Sequence, residues 1–336
     1  MGASMNRRAF LTAAAASSVL SASAQRVAQA QAIPRFYDAA RYSSERGGTA
    51  LLVARHGVVL GEDYPGAEPD ARWPLRGGSR LFLPLLAASL AQDRLLNLDE
   101  PAMLTLSEWA EDPRKAAISI RALLNGTSGM AFPSRSAETL SAALTLEPAA
   151  VLGQSFSADP CASMLFVEIA RRKLMAANQE SDPARWLTTR TLLPIGCVPI
   201  GWARDASGAA RFDDGVVASA RGWAQAGELI RRGGVWRARQ LADAGTLSEA
   251  LRASFIEPRA AMGLWLASDE RRDPPVDSDL WRTGHPAPPD FAMAAGEGGQ
   301  RLYIIPSAGL IVARQARENT ARWSDAQFLT LLWRDL

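Results

Sequence analysis

The chain contains few of the side chains on which most hydrolytic sites are built. Its 336 residues include two histidines, two cysteines and two lysines, so 35 of its 37 basic residues are arginine. The cysteines, Cys161 and Cys197, form no C-x-x-C pair and have no histidine beside them, which gives no support for a structural metal site. Whether they form a disulfide depends on geometry that sequence spacing does not fix. We expect no metal and no other cofactor.

Common motifs of nucleophilic catalysis are also missing. An S-x-x-K motif is excluded, because Asp112 and Ala170 are the residues three positions before the two lysines. No tyrosine begins a Y-x-N sequence, and no G-x-S-x-G sequence occurs. His56 lies in a predicted hairpin turn, where we expect a structural role. His285 lies in a proline-rich loop and is the remaining histidine that could serve a pocket.

The first 32 residues have the pattern of an export signal. The twin arginine Arg7-Arg8 is followed by Phe10-Leu11 and by a run of small, mildly apolar residues that ends in A-x-A sites. This run is shorter than the roughly 20 residues that a bilayer span needs. We therefore predict a Tat-type signal peptide over residues 1–32 and a periplasmic or otherwise exported mature chain.

The mature chain would be close to neutral. Cleavage after Ala32 removes three arginines and no acidic residue, which changes the formal net charge from +2 to −1. A near-neutral chain has no basic surface for nucleic acid, so no nucleic-acid partner is expected. No further hydrophobic run predicts a membrane span in the mature chain.

Hydrophobic patterns place strands at both ends of the mature chain. The sequence TALLVARHGVVLGEDY predicts a hairpin around Arg55-His56-Gly57, and GQRLYIIPSAGLIVARQ predicts another that turns at residues 306–309. The last segment, SDAQFLTLLWRDL, predicts a helix with Ser324 or Asp325 as its N-cap.

The order of these elements predicts one domain over residues 33–336. Its sheet would come from both termini, at about 33–75 and 255–336, and a mostly helical region of about 76–254 would be inserted between them. This is an α/β (α+β) fold in which helices flank an antiparallel sheet.

Three separated motifs carry a family resemblance. They are DRLLNLDEP (93–101), LLNGTSGM (123–130) and AAGEGGQRLYIIP (294–306). In this order they resemble the serine β-lactamase and penicillin-binding-protein superfamily, in particular β-lactamase-related esterases and 6-aminohexanoate-dimer-type hydrolases. The resemblance covers nearly the whole mature chain and implies the β-lactamase/transpeptidase-like fold.

The resemblance also locates the catalytic positions of that family, and all of them are replaced here. Counting back 24 residues from Pro101 puts Gly77 at the serine and Arg80 at the lysine of S-x-x-K. Ala158 stands at the pocket tyrosine and Gly126 at the histidine of the second motif. Glycine offers no nucleophile, an arginine stays protonated, and alanine relays no proton. The scaffold is thus expected without acyl-enzyme chemistry.

Ser79 and Arg80 allow more than one interpretation. Ser79 either caps the helix that follows or acts as a displaced nucleophile, and Arg80 could hold a ligand carboxylate. The cleft of the family would be lined here by Gly77, Ser79, Arg80, Ala158, Gly296, Gly298, Gly299 and Gln300.

Three functions remain open. The first is an exported homologue that has lost catalysis and binds a small molecule, a peptide or a protein partner of unknown identity. The second is a divergent but active serine hydrolase, an esterase, amidase or β-lactamase-like enzyme, that uses Ser79 or His285. The third is a structural subunit of an envelope assembly, which would have a blocked cleft.

Overall fold

The computed structural model describes residues 35–134, 138–198, 200–270, 276–283, 288–317 and 322–336. The predicted export signal and His285 lie outside the described residues. No helix within the described ranges is long and apolar enough to cross a membrane.

The main sheet is built from strands of both chain ends, as the sequence predicts. Within the described residues it has seven strands in the order β2-β1-β12-β11-β10-β9-β8. Their bounds are β1 Gly48–Arg55, β2 Val58–Asp63, β8 Ala260–Ala261, β9 Leu264–Leu266, β10 Ala292–Gly296, β11 Gln300–Ile305 and β12 Leu310–Ala316. Every neighbouring pair is antiparallel. The pairing of β1 with β12 joins the two ends of the chain and confirms the predicted sheet.

Helices cover both faces of this sheet and fill the inserted region. They are α1 Tyr37–Ser44, α2 Phe82–Gln92, α3 Pro113–Ala116, α4 Ile120–Leu124, α5 Leu140–Thr145, α6 Pro160–Ala176, α7 Pro183–Leu187, α8 Ala220–Arg231, α9 Ala244–Ala250, α10 Leu280–Thr283 and α11 Asp325–Trp333. Short strands complete the insertion: β3 Trp73–Pro74, β4 Ile200–Trp202, β5 Val216–Ala218, β6 Val235–Trp236 and β7 Arg239–Gln240. Of the two predicted N-caps of α11, Ser324 is the one whose side chain accepts a hydrogen bond, from the backbone N–H of Gln327.

Successive side chains of β1 point into two different hydrophobic cores. Leu52 packs in the core that contains α2, α8 and the inserted helices. Leu51 and Val53 point to the opposite face, where α1 and α11 cover the sheet. Because successive side chains of a strand point to opposite faces, a strand that is buried along its whole length implies a layer on each side. The sheet is therefore the middle of three layers.

A buried carboxylate ties the last helix to the sheet. Asp325, at the start of α11, is fully buried and accepts hydrogen bonds from Arg301 Nε at 2.9 Å, from the Trp323 indole at 2.9 Å and from the Tyr303 hydroxyl. Burial alone would raise the pKa of Asp325, but the charge of Arg301 and these hydrogen bonds outweigh it and lower the pKa. Arg301 also donates to the backbone carbonyl of Gly296 at 3.0 Å, which links α11 to the end of β10.

The two cysteines are not joined. Cys161 and Cys197 are both buried free thiols, and burial raises the pKa of each to about 12. A thiol with so high a pKa is almost entirely protonated at neutral pH and is a poor nucleophile. Neither cysteine has the character of a reactive residue.

Replacement of Asp325 tests the buried pair. Asp325→Asn leaves Arg301 buried without its counter-charge, so the free energy of unfolding is expected to fall by about 3–5 kcal/mol. Urea unfolding at neutral pH measures this change. Asp335→Asn is the matched control, because Asp335 is exposed, and it is expected to change stability by less than about 0.5 kcal/mol.

The ion pair of Asp325 with Arg301 also predicts how the free energy of unfolding depends on pH. Because the folded-state pKa of Asp325 is lowered, its contribution is complete above the unfolded-state pKa and is lost as pH falls through the folded-state value. The stability difference between the parent and Asp325→Asn is therefore expected to shrink in acid. A difference that stays constant into strong acid would contradict this assignment.

Candidate functional site

A turn of 3₁₀-helix at Arg76–Leu81 leads into α2 and packs backbone against backbone on the end of β10. A Cβ atom on Gly77 would lie 2.9 Å from the carbonyl oxygen of Ala295, and one on Gly296 would lie 2.2 Å from that of Leu75. Both distances are shorter than real Cβ contacts, and the neighbouring atoms belong to the backbone. A side chain at residue 77 would therefore require the turn or the end of β10 to shift.

The backbone N–H of Gly77 is bonded to a carboxylate. It donates to Oε2 of Glu297 at 3.2 Å. Glu297 begins the short 3₁₀ turn Glu297–Gly299 between β10 and β11, and Arg314 holds the other end of that turn by donating to the Gly299 carbonyl at 2.6 Å. In acyl transfer, a backbone N–H at the nucleophile is a donor for the developing oxyanion. Here that donor already has an anionic partner.

Ser79 does not cap a helix. Its hydroxyl is completely buried and accepts a hydrogen bond from the backbone N–H of Val216 on β5 at 3.0 Å. Neither the turn nor α2 has a side-chain cap, so the expected N-cap role is wrong. The reason is a tertiary one: Ser79 satisfies a buried N–H of a neighbouring strand, a partner that local sequence does not reveal.

Arg80 lies at the position of the family lysine and contacts the position of the family tyrosine, since its guanidinium donates to the backbone carbonyl of Ala158. Desolvation by burial lowers the pKa of Arg80, while negative charge nearby opposes the shift. The opposing carboxylates are those of Asp213, Glu297, Asp159 and Asp214. Arg80 and Ala158, which the resemblance assigns to the lysine and the tyrosine of the family, are thus in contact, and a fixed cation lies there among carboxylates.

The space left beside Arg80 is small. A cavity of about 40 Å³ lies between Arg80, Ala158, Phe156 and Trp265. The rings of Phe156 and Trp265 meet edge to face with centroids 6.1 Å apart. A Cβ on Gly126 would lie 2.3 Å from the Ser157 carbonyl oxygen, so the position of the family histidine admits no side chain either. A volume of this size holds about one water molecule.

The remaining predicted cleft residues lie at the start of β11 and in the turn that precedes it. Gln300 is buried, and its side-chain amide donates to the Ala316 carbonyl at 2.6 Å and accepts from the Ala316 N–H at 3.2 Å. Gly298 and Gly299 have positive φ angles of 76° and 78° and form the turn that presents Glu297.

A larger cavity, which the sequence does not reveal, lies next to this site. It has a volume of about 580 Å³ and is bounded by α5, α6, the start of α7 and residues 204–213 of the loop between β4 and β5. Ser163 on α6 lines both cavities, which makes them neighbours. The only sequence signal at this place is the polar, glycine-containing stretch ARDASGAARFDDG, which predicts a loop and no chemistry.

Two adjacent carboxylates, Asp213 and Asp214, lie beside Arg211 at the larger cavity. Burial and the charge of Asp213 raise the pKa of Asp214. Arg211 Nη2 lies 2.8 Å from Asp214 and 3.5 Å from Asp213. Burial by itself would lower the pKa of Arg211, but these two carboxylates raise it. Within the part of the chain that the structure describes, no group of three or more histidine, cysteine or acidic side chains is placed to hold a metal ion.

Comparison with known proteins agrees with this architecture. A family model described as Beta-lactamase matches residues 24–326. No curated protein is a detectable relative of the sequence.

Similar solved structures include a family VIII carboxylesterase, with 16% identity, a TM-score of 0.69 and coverage of 90% of this chain and 97% of that one. A penicillin-binding protein homologue from Caulobacter crescentus has 15% identity, a TM-score of 0.68 and coverage of 90% and 98%. EstCE1, described as a hydrolase with promiscuous acyltransferase activity, has 14% identity, a TM-score of 0.68 and coverage of 90% and 97%. At these identities the likeness shows the fold.

The close approach at Gly77 gives a stability prediction. Gly77→Ala is expected to lower the free energy of unfolding by about 1–3 kcal/mol, because the new methyl group overpacks against the Ala295 carbonyl. Gly201→Ala is the control, since a Cβ there would meet its nearest neighbour at 3.8 Å, an ordinary contact. Urea unfolding of both variants checks the prediction, and equal effects of the two substitutions would contradict it.

Proposed function

The chain belongs to the β-lactamase family, and from this premise we propose that it keeps the fold of the family and binds a ligand without forming an acyl-enzyme. The proposal rests on the absence of a side chain at residue 77 and on the backbone hydrogen bond of that residue. This position has no nucleophile and no room for one, and its backbone N–H is bonded to the carboxylate of Glu297. Nucleophile and oxyanion donor are thus both unavailable to a substrate.

The general base is missing as well. A guanidinium at Arg80 stays protonated near neutral pH, and the four carboxylates around it favour the charged form. In a serine protease, loss of the nucleophile or the base costs about 10⁶ in turnover, while binding and oxyanion donors retain roughly 10³–10⁴ over water. Any hydrolysis by this chain is therefore expected to be very slow.

The neighbouring cavity supports a binding role. Its volume of about 580 Å³ lies in the range of about 300–1,000 Å³ that is usual for small-molecule sites. The cleft at Arg80 holds about one water molecule, so the binding role rests on this neighbouring cavity and not on that cleft.

The alternative of a relocated nucleophile has less support. Ser79 is fully buried, and its hydroxyl is engaged with the N–H of Val216. Ser163 faces both cavities, but its hydroxyl donates to the carbonyl of Pro160 at 2.8 Å, so it has no base as its partner. No observation favours an active hydrolase at either serine.

Covalent labelling tests the loss of catalysis. The purified mature protein is incubated with a fluorophosphonate probe and with a fluorescent penicillin, beside Ser79→Ala and Ser163→Ala, and intact masses are measured. We expect no adduct on any of the three proteins. A stoichiometric adduct on the parent that is lost in one of the variants would overturn the proposal and identify the nucleophile.

We propose in addition that the chain is exported by the Tat route. The support is the twin arginine Arg7-Arg8 with its small-residue run and A-x-A sites. Expression in a bacterium with a Tat system is expected to yield a periplasmic form that begins near residue 33, as read by N-terminal mass spectrometry. Arg7→Lys/Arg8→Lys is expected to remain unprocessed in the cytoplasm. Equal processing of the two forms would exclude this route.

A further inference from the structure

The large cavity beside the former catalytic site has a charged lining with an excess of carboxylates. Of the residues that the structure describes, five acidic ones line it against three arginines: Glu138, Glu168, Asp182, Asp205 and Asp213 against Arg171, Arg204 and Arg211. An excess of negative charge in a partly desolvated cavity selects for positive ligands. Which carboxylates are available to a ligand depends on the contacts that each already makes.

Three of the five carboxylates are occupied by the protein itself. Glu168 accepts hydrogen bonds from Arg171 at 2.7 and 2.8 Å and from Arg172 at 2.7 Å. Asp182 caps α7 and pairs with Arg204. Asp205 accepts from the Ser207 N–H, the Ser207 hydroxyl and the Ala209 N–H at 2.6–3.0 Å. These side chains build the wall of the cavity.

Asp213 is different. It is only 9% exposed, yet its carboxylate makes a single polar contact with the described residues, 3.5 Å from Arg211 Nη2 to Oδ2. An ordinary charge-assisted hydrogen bond is about 2.7–2.9 Å long. Arg211 makes its short bond to Asp214 instead, at 2.8 Å. No ion pair within 4.0 Å joins Asp213 to Arg80, so a nine-tenths buried carboxylate borders the cavity with Oδ1 unbonded.

Glu138 is the second available carboxylate. It is half-buried on the same cavity, and it makes no hydrogen bond or ion pair with any residue that the structure describes. Its charge acts on Arg211 and Asp214, as the charge of Asp213 does, which places the two carboxylates in one neighbourhood. A largely buried carboxylate with one long ion pair and a half-buried carboxylate with none are both incompletely compensated, and a cation supplied by a ligand would stabilise them.

Each arginine that lines the cavity makes a short hydrogen bond to a carboxylate of the protein. Arg171 is engaged by Glu168, Arg204 by Asp182 and by the Gly208 carbonyl at 2.7 Å, and Arg211 by Asp214. Among the described residues, a ligand carboxylate would find no guanidinium without a short bond to a carboxylate or carbonyl. It would face Glu138, which has no partner among those residues, and Asp213, whose one polar contact is the 3.5 Å ion pair with Arg211. The rest of the lining is apolar and could contact a hydrocarbon body; it includes Leu140, Met164, Val167, Ala210 and Phe212.

We propose that this cavity binds an organic cation, an ammonium, amidinium or guanidinium group carried on an apolar body, and that Asp213 and Glu138 hold the cationic group. The inference rests on the proposed binding function and gives its site and ligand class. It moves the binding site away from the Arg80 cavity and replaces the expected ligand carboxylate with a positive group.

A series of probes with one body and three head groups tests the proposal. The probes are 4-phenylbutylamine, 4-phenylbutan-1-ol and 4-phenylbutanoate, and binding to the purified mature protein is measured by calorimetry and ligand-observed NMR. The amine is expected to bind at least about ten-fold more tightly than the alcohol and the carboxylate. Equal or weaker binding of the amine, or no amine binding at millimolar concentration, would overturn the proposal.

Variants locate the head group. Asp213→Asn/Glu138→Gln is expected to weaken amine binding by about ten-fold or more while alcohol binding changes by less than about two-fold. Asp70→Asn/Glu45→Gln removes the same charge at exposed positions and is expected to leave both affinities unchanged. Unchanged amine binding in the first variant would refute the assigned anchors. If that variant is unfolded by circular dichroism, the head-group series on the parent still decides.

The result of the amine-binding experiments can be distinguished from the result of the covalent labelling. Adduct formation is read from intact mass with fluorophosphonate and penicillin, and it does not depend on the amine. A labelled protein without amine preference would refute both proposals. An unlabelled protein without amine preference would refute only the cation site.

Discussion

The buried carboxylate of Asp325 fixes the position on which the site depends. Arg301 bonds both to this carboxylate and to the carbonyl of Gly296, so the last helix, β11 and the end of β10 form one rigid unit. Against that unit the turn at Gly77 packs at backbone distance, and from it Glu297 reaches the Gly77 N–H. A pair of charges far from solvent thus determines what the former catalytic position can contact.

The residues at the proposed former active site are electrostatically consistent with one another. A catalytic centre of this kind needs a neutral base and free donors at the nucleophile. The chain has instead a permanent cation at Arg80, compensated by carboxylates from separate segments, and an anion on the Gly77 donor. Each charge makes the other less costly, so the arrangement is a stable structural element.

The sequence predicts the fold well, because the fold depends on local patterns. The two hairpins and the last helix with Ser324 follow from hydrophobic periodicity and from the capping residue. The assignment of Gly77, Arg80 and Ala158 to catalytic positions comes from the family resemblance and stays a prediction. Other features depend on partners that the fold brings together from distant segments. The bond of Ser79 to β5, the hydrogen bond from the Gly77 N–H to Glu297 and the single long contact of Asp213 with Arg211 belong to this class. An acidic residue inside the glycine-rich turn is the one local signal that could have indicated Glu297.

The two separate, buried thiols have a consequence for how the chain matures. No covalent bond of the folded protein has to be made or reshuffled by an oxidant, because Cys161 and Cys197 remain reduced within the core. The folded state has the same covalent structure in a reducing and in an oxidising compartment. The chain can therefore complete its folding on either side of a membrane without disulfide-forming catalysts.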